Sequence, residues 1–228
     1  MYLSRVKIDI YNRRKLRDLT HLGAYHAWVE DSFPDEREDI KENRTRKLWR
    51  VDQINGESYL LVLSKNKPNL EKLEKYGLKS SAETKSYDKL LSSIEVGMRA
   101  RFKICLNTVK SIRDDKNELS KRGRLVPVGL DELHKFFLDR TEKNGFSVKD
   151  NEFDITSRGE KLFVKKEEDN GKNTKMNLVS ATYEGILTVR DVDKFKNALI
   201  NGIGRKKAYG FGLLTIIPYH ELFPRERG

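Results

Sequence analysis

Apolar and polar positions alternate from Tyr2 to Ile10 (Tyr-Leu-Ser-Arg-Val-Lys-Ile-Asp-Ile), which predicts a half-buried strand. The period then lengthens. Leu16, Leu19, Leu22, Val29 and Phe33 fall on one stripe at helical spacing, and Pro34 closes the predicted helix. A charged run over 35–47 reads as a loop. Leu48–Asp52 and Tyr59–Leu63 flank Asn55-Gly56, a strong signal for a tight hairpin. Short helical or irregular pieces follow at 69–76 and 86–94. Arg99–Asn107 alternates again, giving β-α-β-β-(α)-β over residues 1–108.

The second half repeats this order. Leu125–Val128 reads as a short strand, and Asp131 as the N-cap of a helix carrying Leu133, Phe136 and Phe137, ended by Asn144-Gly145. Strands are predicted over 146–155, 161–166 and 178–189, with a turn at 167–172. Asp191 caps a helix bearing Val192, Phe195 and Leu199, and Leu213–Pro218 closes as an apolar strand. Each half matches the βαββαβ, or ferredoxin-like, unit. The predicted fold class is therefore α+β with two tandem ferredoxin-like (RRM-like) domains, 1–110 and 122–228, joined by a basic linker over 111–121. No sequence repeat accompanies the repeated pattern.

Charge changes the picture from fold to partner. The 228 residues hold 46 Lys+Arg against 35 Asp+Glu, a formal net charge of +11. The excess is concentrated. Residues 99–124 carry nine basic and three acidic side chains, and Gly202–Gly212 carries Arg205, Lys206 and Lys207 with no acid. Clustered cations of this kind suit a polyanionic backbone, because neutralised phosphates release condensed counterions. No apolar run reaches the ~18 residues of a membrane span, and the N-terminus lacks a signal-peptide core. The single cysteine, Cys105, supplies neither an internal disulfide nor a cysteine metal cluster. These features fit a cytoplasmic protein without a metal or other cofactor.

The segment Gly202-Ile203-Gly204-Arg205-Lys206-Lys207-Ala208-Tyr209-Gly210-Phe211-Gly212 concentrates the chemistry. It is not a P-loop or a Rossmann turn: those need a strand before and a helix after, and here the order is reversed. Four glycines framing Arg-Lys-Lys allow close backbone approach to a ligand, with cations at the centre.

This pattern, followed by Leu213-Leu214, resembles the C-terminal glycine-rich loop of repeat-associated CRISPR RNA-binding proteins. Met1–Val6, Arg17-Asp18-Leu19, His26 with Phe33-Pro34, Arg124-x-Val126-Pro127 and Tyr183–Val189 resemble the CasE family, the precursor-RNA endoribonucleases of the type I-E Cascade complex. The resemblance implies tandem ferredoxin-like domains and a metal-independent cut at the 3′ base of a repeat stem-loop. The ribose 2′-OH would attack phosphorus, leaving a 2′,3′-cyclic phosphate and a 5′-OH. CRISPR RNA and the other Cascade subunits are the implied partners.

Residue by residue, His26 matches the family's catalytic histidine, a side chain that transfers protons near neutral pH. The alternative is a core histidine, since His26 lies on the apolar stripe. Tyr25 is a second catalytic candidate and a departure: some relatives carry a tyrosine three residues before the histidine, where this chain has Gly23. Adjacent helical residues point about 100° apart, so core packing is its alternative. Gly204, Arg205, Lys206 and Lys207 match the RNA-contacting loop. Lys165 and Lys166 fall in a hairpin resembling one that relatives insert into the RNA stem, a solvated turn being the alternative. Lys121, Arg122 and Arg124 are expected along the RNA cleft, where such clusters position a backbone without reading sequence. A non-catalytic RNA-binding subunit would keep these basic segments and have no need of His26.

Overall fold

The computed structural model describes residues 1–38, 45–112, 123–166 and 173–219. The opening alternation becomes β1 (Tyr2–Lys7), with Val6 buried and Arg5 exposed. The predicted long helix is two helices, α1 (Arg13–Asp18) and α2 (Leu22–Asp31). Asn12 caps the first with its side chain, and His21 caps the second by accepting from the Ala24 N–H through Nδ1 (3.3 Å). A short α3 (Asp35–Glu38) precedes β2 (Leu48–Ile54) and β3 (Glu57–Ser64). Asn55 and Gly56 join these strands, both in the left-handed region (φ 52° and 79°), as a tight hairpin demands. Then come α4 (Leu70–Leu73), β4 (Glu83–Ser86) and α5 (Asp88–Ser92). The first sheet has the order β2-β3-β1-β4, with every neighbouring pair antiparallel.

The second sheet takes β5 (Arg99–Asn107) as its first strand. After β6 (Val109–Ile112), β7 (Arg124–Pro127) and α6 (Leu133–Thr141) come β8 (Phe146–Ser147) and the long β9 (Phe153–Lys166) and β10 (Asn173–Val189). Helix α7 (Val192–Asn201) and β11 (Thr215–Pro218) complete it. The order is β11-β5-β10-β8, with β9 also paired to β10. Each sheet thus has the ferredoxin-like arrangement, with α2 and α4 serving the first and α6 and α7 the second. Among the described residues no helix is long and apolar enough to cross a membrane.

Three sequence expectations are corrected. Arg99–Asn107 belongs to the second sheet, registered against β10 (Phe102 opposite Gly185) and β11, and is not the last strand of the first. That place is taken by Glu83–Ser86, which pairs with β1 and has no apolar alternation to reveal it. The stretch expected to link two domains, 111–121, instead begins within β6, which pairs with β7 in the second half, and its residues 113–121 lie outside the described residues. Asp131 does not cap α6, whose N-cap position is Glu132 with no side-chain bond; Asp191 does cap α7, accepting from the Lys194 N–H (3.0 Å).

The two halves share their cores. One apolar cluster holds Val6, Trp28, Trp49 and Leu60 of the first half together with Cys105, Phe163, Leu178 and Phe211 of the second. Between them lies a buried polar anchor. Arg50 on β2 forks onto both carboxylate oxygens of Asp52 (2.7 Å each) and donates to the carbonyls of Lys103 and Leu213 and to the Thr215 hydroxyl.

Candidate active site

His26 stands on α2, half-buried, with its ring set edge-on to Tyr209 of the glycine-rich segment (centroids 5.4 Å apart, 71° between planes). One turn further along the same helix, Glu30 Oε1 lies 3.9 Å from His26 Nδ1. The helix is brought down onto β9 at Gly23: a Cβ there would stand 2.9 Å from the Val164 carbonyl oxygen and 2.9 Å from His21 Nδ1. The missing side chain therefore fixes how closely the β9 strand approaches the helix that carries His26.

The glycine-rich segment leaves α7 and closes on itself at the neck, where the Ile203 N–H donates to the Gly212 carbonyl (3.0 Å) and the Gly212 N–H to the Cys105 carbonyl (2.8 Å). At its tip Lys206 adopts φ 57°, a left-handed conformation that costs a non-glycine residue roughly 1 kcal/mol, so the surrounding loop enforces it. The result is directional. Lys206 Nζ sits 5.8 Å from the Tyr209 ring centre and 5.9 Å from that of Phe163, and those rings are 4.3 Å apart. A cation and an imidazole thus contact the same Tyr209 ring, although their residues are 180 positions apart in the chain.

Trp49 clamps this loop from the first half. Its indole N–H donates to the Ala208 carbonyl (2.9 Å), and Gly210, at φ 80°, lies so close that a Cβ would come within 2.7 Å of the indole ring. Tyr25 stacks on the same indole (5.8 Å, 18°) and lies 6.2 Å from Trp28. Burial raises the pKa of its hydroxyl. Tyr25 is thereby packed among the tryptophans.

The remaining sequence candidates divide. Gly204 and Arg205 are exposed on the loop. Lys207 turns back to donate to the Asn201 carbonyl (2.9 Å), and burial, together with the nearby charge of Arg46, lowers its pKa. Arg124 is exposed at the start of β7. Lys165 and Lys166 end β9 opposite Thr174 and Asn173, but their side chains lie outside the described residues, as do Lys121 and Arg122 altogether. Among the described residues no group of three or more His, Cys, Asp or Glu is placed to hold a metal ion. Sequence reading missed Tyr209, Phe163, Glu30 and Trp49 as parts of the site. Tyr209 and Phe163 carry no charge and obey no short spacing to His26, so only the fold brings them to it.

Chemically, the assembly offers a proton-transfer group beside an oriented cation, on a surface with further exposed basic residues. That is the equipment for displacement at a phosphodiester. A family model described as CRISPR associated protein matches residues 1–218. The chain belongs to that family. Its curated relatives place it on the CasE branch: it is 26% identical to the CRISPR system Cascade subunit CasE of Escherichia coli K12 over 224 residues, covering 96% of this chain and all of the relative. It is 25% identical to the CRISPR-associated endoribonuclease Cse3 of Thermus thermophilus over 225 residues, with the same coverage. Among solved structures, Cse3 bound to a 19-nucleotide RNA superposes with a TM-score of 0.75 at 23% identity, over 96% of this chain and all of that one. The tandem ferredoxin-like fold is common to both.

Proposed function

We propose that this family member is a metal-independent endoribonuclease that cuts CRISPR precursor RNA at the 3′ base of the repeat stem-loop, stays bound to the product and joins a Cascade complex in the cytoplasm. The relatives' names support the class of activity and the partner: one is a Cascade subunit, the other an endoribonuclease. The observation that carries the reading is that His26 and Lys206 both meet the ring of Tyr209.

In the proposed reaction the 2′-oxygen forms a bond to phosphorus as the bond from phosphorus to the 5′-oxygen breaks. The 2′-OH loses a proton and the departing 5′-oxygen gains one. His26 moves one of these protons. Lys206 stabilises the added negative charge on the phosphorane oxygens, and Arg205 and the exposed backbone at Gly204 hold the flanking phosphates. Lys207, tied to Asn201, supports the loop. Tyr25 packs, and takes no part in proton transfer. Arg124, with Lys121, Arg122, Lys165 and Lys166, extends the backbone-binding surface along the stem.

The test is His26→Ala on a stem-loop repeat RNA in EDTA. Single-turnover cleavage falls by about 10²–10⁴ while RNA affinity holds within a few-fold. Wild-type cleavage in EDTA yields a cyclic phosphate end by mass analysis. Undiminished cleavage by the variant would return His26 to a packing role and favour the binding-subunit reading.

A further inference from the structure

We propose that Arg46 of the first half and Lys207 of the glycine-rich loop together hold one RNA phosphate across the seam between the two halves. The proposal rests on the RNA-binding reading above and adds to it a residue, Arg46, that lies outside the loop motif.

Strand β2 is an edge strand, and the glycine-rich segment straddles it. On one face of the strand the Trp49 indole holds Ala208. On the other, Leu48 packs against the start of the segment, where a Cβ on Gly202 would stand 3.0 Å from its methyl carbons, and Arg50 reaches the Leu213 carbonyl at the far end. Side chains alternate along an extended chain. Lys47 and Trp49 both turn to α2, toward Glu30 and Tyr25, which leaves Arg46 on the row of Leu48 and Arg50, beside the end of α7. Lys207 comes to that place from the loop, its Nζ 2.9 Å from the Asn201 carbonyl.

Arg46 is exposed and Lys207 half-buried, and among the described residues neither is ion-paired. Lys207 is held below the ordinary ammonium range, by burial first and then by the charge of Arg46. A lysine capping a helix C-terminus needs no second cation beside it, and like charges brought together repel. An anion between them removes that repulsion. A phosphate suits both partners: the guanidinium offers a planar fork of donors, and the ammonium keeps two N–H groups beyond the one spent on Asn201. Lys206, the preceding loop residue, is placed at the scissile phosphate in the proposed reaction, so the phosphate at Arg46 and Lys207 is a flanking one. With one cation from each half, it also ties the halves to each other.

The experiment measures affinity for a stem-loop repeat RNA across a salt series. Losing one phosphate contact lowers the slope of log affinity against log salt by ~0.7–0.9, equivalent to roughly five- to eightfold weaker binding at ~0.1 M salt. Arg46→Ala shows both changes, and because the side chain is exposed its Tm stays within about 2 °C of wild type. Arg46→Gln, neutral and of similar reach, matches Arg46→Ala, whereas Arg46→Lys keeps the charge and most of the slope, a rescue that a merely packing role does not give. Lys207→Met removes the second cation. Combined with Arg46→Ala it weakens binding by less than the product of the single losses, because both groups act on one phosphate. Wild-type affinity and slope in Arg46→Ala overturn the proposal, as does a double variant whose loss equals that product. A wild-type protein with no salt-dependent binding of the stem-loop overturns the RNA reading itself, and this site with it.

Discussion

Removing Arg50 is the most direct probe of how the halves are held together. Its side chain is 3% exposed and its partner Asp52 7%, so the pair is buried and unscreened. Truncation to alanine strands the Asp52 carboxylate and takes donors from the Lys103 and Leu213 carbonyls and the Thr215 hydroxyl. Breaking a buried pair by deleting one partner costs about 3–5 kcal/mol. Lys103 Nζ, 3.8 Å from Asp52 Oδ1, keeps part of the charge compensated, which places the cost toward the lower end. For a chain of this length each kcal/mol shifts Tm by roughly 2–4 °C, so Arg50→Ala is expected to melt roughly 6–12 °C below wild type. The cause can be isolated by a double-mutant cycle in thermal and urea unfolding. If the orphaned carboxylate dominates, adding Asp52→Asn to Arg50→Ala recovers on the order of 1–2 kcal/mol, whereas Asp52→Asn alone destabilises. Leu213 directly follows the loop neck at Gly212, so the single variant also weakens RNA binding. Arg50→Ala melting within about 2 °C of wild type, or strict additivity of the two changes, would refute the reasoning.

Two further outcomes follow from named contacts. Trp49→Phe keeps an aromatic ring against Tyr25 but leaves the Ala208 carbonyl without its donor; about 1–3 kcal/mol of stability is lost in urea unfolding, and RNA affinity declines with it, whereas an unchanged urea midpoint removes the clamp from the account. For Glu36, burial works to raise the pKa, but hydrogen bonds from Lys47, Thr45 and Asn66 outweigh it and hold the group below its ordinary 4.5. Its stabilising contribution is therefore complete above that value and is lost as pH falls through the folded-state pKa, so Glu36→Gln should flatten the acid limb of a Tm-versus-pH curve, and a limb of unchanged steepness would count against it.

Much of the fold was legible because short-range patterns encode it. The Asn55-Gly56 hairpin, the β1 alternation and the Asp191 cap each depend on chemistry within a few residues, and each forms as read. The failures have a common cause. Glu83–Ser86 is a strand because β1 offers it an open edge, and its own side chains, Glu, Thr, Lys and Ser, carry no signal of that. Arg99–Asn107 alternates as any half-buried strand does, and periodicity does not say which sheet it will join; pairing with β10 and β11 decides that from residues about 80 or more positions away.

The site divides along the same line. In the sequence His26 stood out only through the family resemblance, and the glycine-rich loop, separately, through residue type and local spacing. What brings them together is Trp49 holding Ala208 and Gly210, Tyr209 in contact with both imidazole and ammonium, and Arg50 tying β2 to Leu213. Trp49 and Arg50 are adjacent on β2, and their side chains leave opposite faces of the strand. One reaches the loop tip and the other the loop neck, so a single strand of the first half sets the height and tilt of a loop that belongs to the second. Trp49 carries no charge, and the Arg50 guanidinium is buried against Asp52 and turned away from phosphate chemistry. Their importance comes from where the sheet puts them, and a sequence window around either shows only a short strand with one arginine and one aspartate in it.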